Sequence, residues 1–435
     1  MNRYNKDNDA MDELTIQILS EFDDDISVLD ISNRGIKGIL DLRKFFDLEI
    51  LECYGNDITK IRNIPETLKI IYNSVDEINL LNNLSHVAEI RIKDNIITHL
   101  TFNKNFNLPI NNLPESLTHL TFVDNSCFNQ PIDFLPESLI SLNFNTNSEF
   151  NLPIDNLPKS LIYLHLGKYF NQPINNLPKS LKHLTFYPFS KFNQPIDLLP
   201  SELTHLTFWE NSEFNQPINS LPTGLMYLIL RNNFNHPINC LPNSITHLIL
   251  GIRFNQPINN LPMSITHLTF NYKFNQPVDN LSNSIIYLSL GEDFNQSVDN
   301  LPNSIINLRF GSRFNQPVNN LPKDLNILVF GRDFNKPINN LPKNLTHLSF
   351  RDGFNQSIDN LPNNLTHLNF DGRSCFNRSI DNLPDSITEL SFGRLSEFNQ
   401  SVNKLPKNII KIKGSDKIIN INELKAKYPD VIYLS

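Results

Sequence analysis

From residue 97 to 412 the apolar positions of the chain follow one recurring plan. A Phe-Asn pair returns at Phe106, Phe128, Phe150, Phe170, Phe192, Phe214, Phe234, Phe254, Phe274, Phe294, Phe314, Phe334, Phe354, Phe376 and Phe398, in eight steps of 20 residues and six of 22. A unit this short cannot bury an apolar face alone and must stack against its neighbours. Its second half has the form Leu-x-x-Leu-x-Phe/Leu, as in Leu117, Leu120 and Phe122 or Leu161, Leu164 and Leu166. That is the alternation of a short strand with one face in the core. Of 28 prolines, 11 follow Phe-Asn-x and 14 follow the unit's Leu, leaving Pro65, Pro188 and Pro429. A proline at fixed offsets sets φ and removes a donor, so each marks a corner and disfavours a long helix on the return leg. The pattern predicts a repeat solenoid, with a parallel β-sheet on one face and irregular or 3₁₀ return segments. The two-residue length difference lies between strand and Phe-Asn, where Gly167-Lys168-Tyr169 contrasts with Val123-Asp124-Asn125-Ser126-Cys127. It reads as a loop insertion on one edge.

The ends differ. Met11, Leu14, Ile18, Leu19 and Phe22 share a helical face, which predicts a short acidic cap helix within 1–25. Residues 26–96 read as plainer leucine-rich coils. Leu48, Leu51, Cys53, Asn56 and Ile58 fit one template, and Val87, Ile90, Ile92, Asn95 and Ile97 fit it again, although the second fit overlaps the strand that Phe106 requires. The array of about 15 units spans 97–412. Residues 413–435 hold a closing helix near Asn422–Tyr428 and a last strand near Val431–Leu434. Caps at both ends keep the terminal coils from exposing an open core and unpaired strand edges.

The units, typified by Phe170-Asn-Gln-Pro-Ile-Asn-Asn-Leu-Pro-Lys-Ser-Leu-Lys-His-Leu-Thr-Phe186, resemble the FNIP repeat, a short leucine-rich-repeat-like motif. The resemblance implies a solenoid found chiefly in amoebae and the giant viruses that infect them. It departs from the motif where Ser297, Ser357, Ser379 and Ser401 replace the first proline and Ser282 the second. Family members often carry an N-terminal F-box that docks a ubiquitin-ligase scaffold. Only about 25 residues precede the first strand-like segment, so an F-box is expected to be absent.

Stacking turns each repeat position into a column with neighbours about 4.8 Å apart. The Asn after each Phe forms a structural amide ladder, and the Phe column fills the core. Between the strand leucines stand His99, His119, His183, His205, His247, His267, His347 and His367, in four pairs from adjacent coils, with Tyr163, Tyr227 and Tyr287 among the rest. Paired imidazoles supply two ligands where zinc usually takes four, and no acidic column is read beside them. No metal and no cofactor is expected. Aromatic residues crowd one stretch of the outward face. Tyr163, His165, His183, Tyr187, His205, Trp209 and Tyr227 fall on four consecutive coils and form the candidate partner-binding residues.

The formal charge is −8, of which −6 lies in the first 25 residues, so the array is nearly neutral and offers no basic field for nucleic acid. No apolar run suggests a membrane span. The opening residues lack a secretion signal, and Cys53, Cys127, Cys240 and Cys375 form neither a disulfide framework nor a zinc pattern. An intracellular, cytoplasmic location is expected, in host cytoplasm if the source is viral. There is no phosphate loop and no nucleophile set apart, so no enzyme is expected. The leading expectation is a protein–protein interaction scaffold using its concave sheet. The alternatives are a ubiquitin-ligase substrate receptor, on the family resemblance, and a passive structural protein.

Overall fold

A computed structural model describes residues 11–434 apart from 54, 66, 69, 73–86, 94–95 and 112. The chain divides into two compact units, Met1–Phe214 and Asn215–Ser435.

The first unit opens with α1 (Glu13–Ser20), whose N-cap Asp12 accepts a hydrogen bond from the Thr15 amide at 2.7 Å. Because the helix begins at Glu13, its buried stripe is Thr15, Ile18 and Leu19, with Phe22 half-buried beyond it. Leu14 is exposed, which corrects its assignment to the core face. Met11 stands before the cap and accepts from the Asp41 amide through Sδ. Two ladders follow. β1 (Val28–Asp30), β3 (Ile50–Glu52) and β5 (Ile70–Tyr72) pair in parallel, as do β2 (Lys37–Asp41) and β4 (Asp57–Arg62). Leu48, Leu51, Cys53 and Ile58 are buried as the template requires. Asn56 accepts from the amides of Arg34 and Ile36 and donates to the carbonyls of Ile31 and Cys53.

The second template match fails. β6 (Val87–Lys93) and β7 (Ile96–Phe102) form an antiparallel hairpin, and β6 also runs antiparallel to β4. Only two residues separate β6 from β7, whereas a parallel pair needs a crossover of a dozen or more. The template's Asn95 lies outside the described residues. The hairpin joins the β2–β4 ladder to the repeat sheet, in which β7, β8 (His119–Phe122), β9 (Ser141–Phe144), β10 (Tyr163–Leu166), β11 (His183–Phe186) and β12 (His205–Phe208) pair in parallel without register shifts.

The second unit repeats the plan. β13 (Tyr227–Leu230), β14 (His247–Leu250), β15 (His267–Phe270), β16 (Tyr287–Ser289), β17 (Asn307–Arg309), β18 (Ile327–Val329), β19 (His347–Phe350), β20 (His367–Phe370), β21 (Glu389–Phe392), β22 (Lys411–Lys413) and β23 (Ile432–Leu434) form one parallel ladder. α2 (Ile421–Lys427) buries Leu424 just before β23. Among the described residues α1 and α2 are the only α-helices, and neither is long or apolar enough to cross a membrane.

Inside each unit the phenylalanines form a spine. Successive ring centroids lie 5.7 Å apart at Phe106–Phe128, 6.1 Å at Phe150–Phe170 and 6.2 Å at Phe192–Phe214. The same spacing holds in the second unit, at 6.2 Å for Phe274–Phe294 and 6.1 Å for Phe376–Phe398. Strands in a sheet lie about 4.8 Å apart. Each coil is therefore wider at the Phe column than at the strand, and the sheet takes the inner, concave side of the bend. On the return leg, the amide of the Leu or Ile that begins each strand motif donates to the preceding corner carbonyl, as Leu161 does to Pro158. In three of the four places where Ser replaces the first proline, its hydroxyl accepts from the amide two residues on, as Ser297 does from Asp299, Ser357 from Asp359 and Ser379 from Asp381.

The inserted loops carry their own solution. In each 22-residue step a serine beneath the loop accepts the Phe amide through Oγ, pairing Ser126 with Phe128, Ser148 with Phe150, Ser190 with Phe192, Ser212 with Phe214, Ser374 with Phe376 and Ser396 with Phe398. The first five are fully buried. Several shorter loops instead use a glycine that lets backbones meet, and a Cβ on Gly331 would lie 1.9 Å from the Gly311 carbonyl oxygen. Ser148→Ala leaves the Phe150 amide buried without a partner and is expected to cost about 1–3 kcal/mol. Gly331→Ala is expected to cost about 1–3 kcal/mol by overpacking. Urea unfolding followed by circular dichroism checks both, and wild-type midpoints would contradict these assignments.

Candidate functional site

In the first unit, register aligns His99, His119, Ser141, Tyr163, His183 and His205 in one column and Thr101, Thr121, Asn143, His165, Thr185 and Thr207 in the next. Both columns alternate with fully buried leucines and phenylalanines, so they line the concave face. Tyr163 stacks on His183 at 4.6 Å, and His183 on His205 at 4.2 Å. His165 faces Tyr187 at 5.8 Å. Tyr187 and Trp209 immediately follow β11 and β12, and their amides donate to the Leu166 and Phe186 carbonyls. Six of the seven expected residues thus stand on three consecutive coils of this unit. Tyr227 belongs to the second unit, where it stacks on His247 at 4.3 Å.

The histidine pairs stack at 4.0 Å for His99–His119, 4.3 Å for His247–His267 and 4.2 Å for His347–His367. A threonine precedes seven of the eight rings, and in six of them its hydroxyl both donates to a backbone carbonyl of the previous coil and lies 2.8–2.9 Å from the ring Nδ1. The pairs are Thr118–His119, Thr204–His205, Thr246–His247, Thr266–His267, Thr346–His347 and Thr366–His367. A hydroxyl has one hydrogen. Where that hydrogen goes to the carbonyl, Nδ1 carries the ring proton and donates to Oγ1. The contact holds these six rings by their Nδ1 edges.

Burial lowers the pKa of His119, His165, His183, His247 and His347, and neighbouring cations or imidazoles lower each further. His99 falls to about 4, chiefly through burial and then through His119 and Arg91. Burial also raises the Tyr187 phenol, partly offset by a hydrogen bond from Asn143. His165 Nδ1 and Asn143 Oδ1, from paired strands, are both buried without a hydrogen-bond partner in the protein. Such atoms are costly in a core.

Three features escaped the periodic reading. Glu389 follows His347 and His367 in the column of the second unit, a carboxylate where none was expected. Phe189 and Tyr169 stand exposed on the loops beside the candidate patch. Their signal is in the sequence, as aromatic residues at loop positions that most other coils fill with polar ones, Leu395 being another exception. Among the described residues, no group of three or more His, Cys, Asp or Glu side chains is placed to hold a metal ion. None of the four cysteines is in a disulfide, and burial pushes the Cys53 thiol up to about 12.

The sign of the histidine shifts fixes an acid dependence. An unfolded imidazole titrates near 6.5, whereas these rings resist protonation when folded. Their stabilising contribution is complete above the unfolded value and is lost as pH falls below it toward the lowered folded values. The carboxylates with depressed pKa values, such as Asp359 and Asp381, act only below the ordinary carboxylate range. Melting temperature is therefore expected to fall between pH 7.5 and 5.5, and to fall less in His99→Gln/His119→Gln. A flat profile in wild type would remove the ladder from the account.

The FNIP Repeat family model matches eleven stretches, 92–125, 108–147, 150–187, 192–233, 214–252, 234–273, 254–293, 274–313, 294–320, 314–353 and 354–395. Among solved structures, the chain is similar to CroV588, described as a novel circular leucine-rich-repeat protein and coming from a giant virus. The identity is 32%, with 92% of this chain and 70% of that one covered and a TM-score of 0.59. It also shares a fold with YopM from Yersinia enterocolitica at 23% identity, covering 88% of this chain and 86% of that one, with a TM-score of 0.51. No curated protein matches it in sequence. Repeat solenoids of this type are generally non-enzymatic and typically serve protein–protein interaction. The chain belongs to the FNIP-repeat family of leucine-rich-repeat-like solenoid proteins.

Proposed function

We propose that the protein is a non-enzymatic interaction scaffold that binds another protein on the concave sheet of its first unit. The contact residues in this reading are Tyr163, His165, His183, Tyr187, His205 and Trp209. The observation that carries it is an aromatic cluster on an otherwise small and polar sheet face, with Tyr163 39% and Trp209 37% exposed. Tyrosine and tryptophan give large contact area at low entropic cost and dominate interface energetics. The regular coils on which they stand supply rigid spacing. Tyr227 is proposed as a separate contact of the second unit.

The ligase-receptor reading rests on family resemblance, and it needs a three-helix docking module. Among described residues 11–47 there is one eight-residue helix, followed by β1 and β2. That observation favours the scaffold.

The test is a pull-down from lysate of the source cells, comparing wild type with Tyr187→Ala/Trp209→Ala and read by mass spectrometry. A partner lost by about tenfold or more in the variant, the signature of truncating a hot spot, is the expected result. Equal capture by both would sink the patch. Retrieval of cullin-scaffold components would favour the ligase receptor, and no capture a passive structural protein.

A further inference from the structure

Three consecutive loops of the first unit, after β10, β11 and β12, are bound edge to edge. The Lys191 amide donates to the Lys168 carbonyl, Phe189 to Glu210, and Glu213 to Ser190, each at 2.8 Å. Their rim displays Tyr169 at 37% exposure, Phe189 at 52% and Trp209 at 37%.

Phe189 is the anomaly. Its φ is +64°, in the left-handed region, where the equivalent residues of two other 22-residue coils are Asn125 and Asn211, both at +59°. Asparagine tolerates that conformation, whereas a bulky residue there is an outlier. The Phe189 ring stacks on no other ring among the described residues, so the fold gains nothing visible from the strain. Backbone strain of this kind gathers at ligand clamps and binding sites.

Charge adds a second, independent observation. Between Asp155 and Asp197 the chain carries Lys159, Lys168, Lys179, Lys182 and Lys191 and no acid, within a protein of net −8. The ion pairs described in the first unit lie among residues 21–91. Lys168, beside Tyr169 in the same loop, and Lys191, from the next coil, instead hold their ammonium groups 5.1 and 4.8 Å from the Tyr169 ring. Two cations are thus gathered around one exposed ring, and neither forms an ion pair among the described residues.

We infer that this rim docks an acidic segment of a partner protein, which receives the Phe189 ring in an apolar pocket and sets carboxylates against Lys168 and Lys191. The inference rests on the scaffold reading and names the partner's chemistry. A nucleic-acid strand fits less well. The positive stretch is two coils wide, and Glu149 on one side and Glu210 and Glu213 on the other interrupt any track for a phosphate backbone. On the adjoining sheet, Tyr163, His183 and His205 cover one another's faces, leaving no platform on which bases stack.

The experiment is fluorescence anisotropy of the full chain with a labelled glutamate–tyrosine copolymer, with polyglutamate, polylysine and oligouridylate as comparison probes. Wild type is expected to prefer the copolymer. Lys168→Glu/Lys191→Glu should weaken it by about tenfold. Phe189→Asn should also weaken it while melting at or above the wild-type temperature, since asparagine relieves the strain. Unchanged binding by the charge-reversed variant, or preference for oligouridylate or polylysine, overturns the inference. A lower melting temperature in Phe189→Asn makes the ring structural and removes it as an anchor. The same variants in the lysate pull-down separate the two readings. A partner kept by Lys168→Glu/Lys191→Glu but lost by Tyr187→Ala/Trp209→Ala leaves the scaffold standing and removes the rim.

Discussion

Each coil is tied to the one before it by the amide of the asparagine that follows its spine phenylalanine. In the first unit the amides of Asn129, Asn151, Asn171 and Asn193 donate to Oδ1 of Asn107, Asn129, Asn151 and Asn171 at 2.8–3.0 Å. In the second unit the same bond links Asn235 to Asn215 and continues without a break to Asn399 on Asn377. The asparagines themselves are exposed or half-buried, so the ladder does not fill the core. It fixes the corner from which the core phenylalanine enters. Glutamine one residue on often adds a second bond to the same oxygen, as Gln276 does on Asn255 and Gln356 on Asn335. Because this corner has one geometry, the spine keeps its spacing whether the preceding step is 20 or 22 residues.

That constraint decides where variation is possible. Strand leucines, spine phenylalanines and corner asparagines each meet an identical residue above and below, so a change in one coil disturbs two neighbours. The loop between strand and spine has no such duty once a buried serine or a close-packed glycine has satisfied its backbone. Tyr187, Phe189 and Trp209 all arise there, and so does the two-residue insertion. The concave columns are intermediate. They hold His, Tyr, Ser or Asn interchangeably, and stacking rewards a ring whose neighbour is also a ring, which explains why histidines occur in pairs.

Most of this order was legible because a solenoid converts period into geometry. The Phe-Asn recurrence placed strand, corner and spine, and the column between the leucines named the stacking histidines and Tyr163. What was not legible came from places where a local rule overrides the repeat. The β6–β7 hairpin follows from a two-residue connection, yet Val87, Ile90 and Ile92 also match a leucine-rich template, and pattern alone does not choose between them. Thr15 takes a core position because Asp12 fixes where the helix starts, not because threonine is apolar. The six buried serines sit in a visible Ser-x-Phe motif, but their role depends on an amide that only the folded loop leaves unpaired. Phe189 was not singled out, because its anomaly lies in the backbone conformation and not in the pattern.

The imidazole column shows how the array couples structure to chemistry. In six rings the threonine beside Nδ1 belongs to the same coil, but the carbonyl that takes the threonine's hydrogen belongs to the coil before. The hydrogen bonding at Nδ1 therefore depends on the contact between coils, and a frayed coil would release it. Protonation has the reverse effect, since a cationic ring repels the partner stacked about 4 Å away and gains water by separating from it. Separation of adjacent coils and proton uptake by the lowered histidines therefore favour one another.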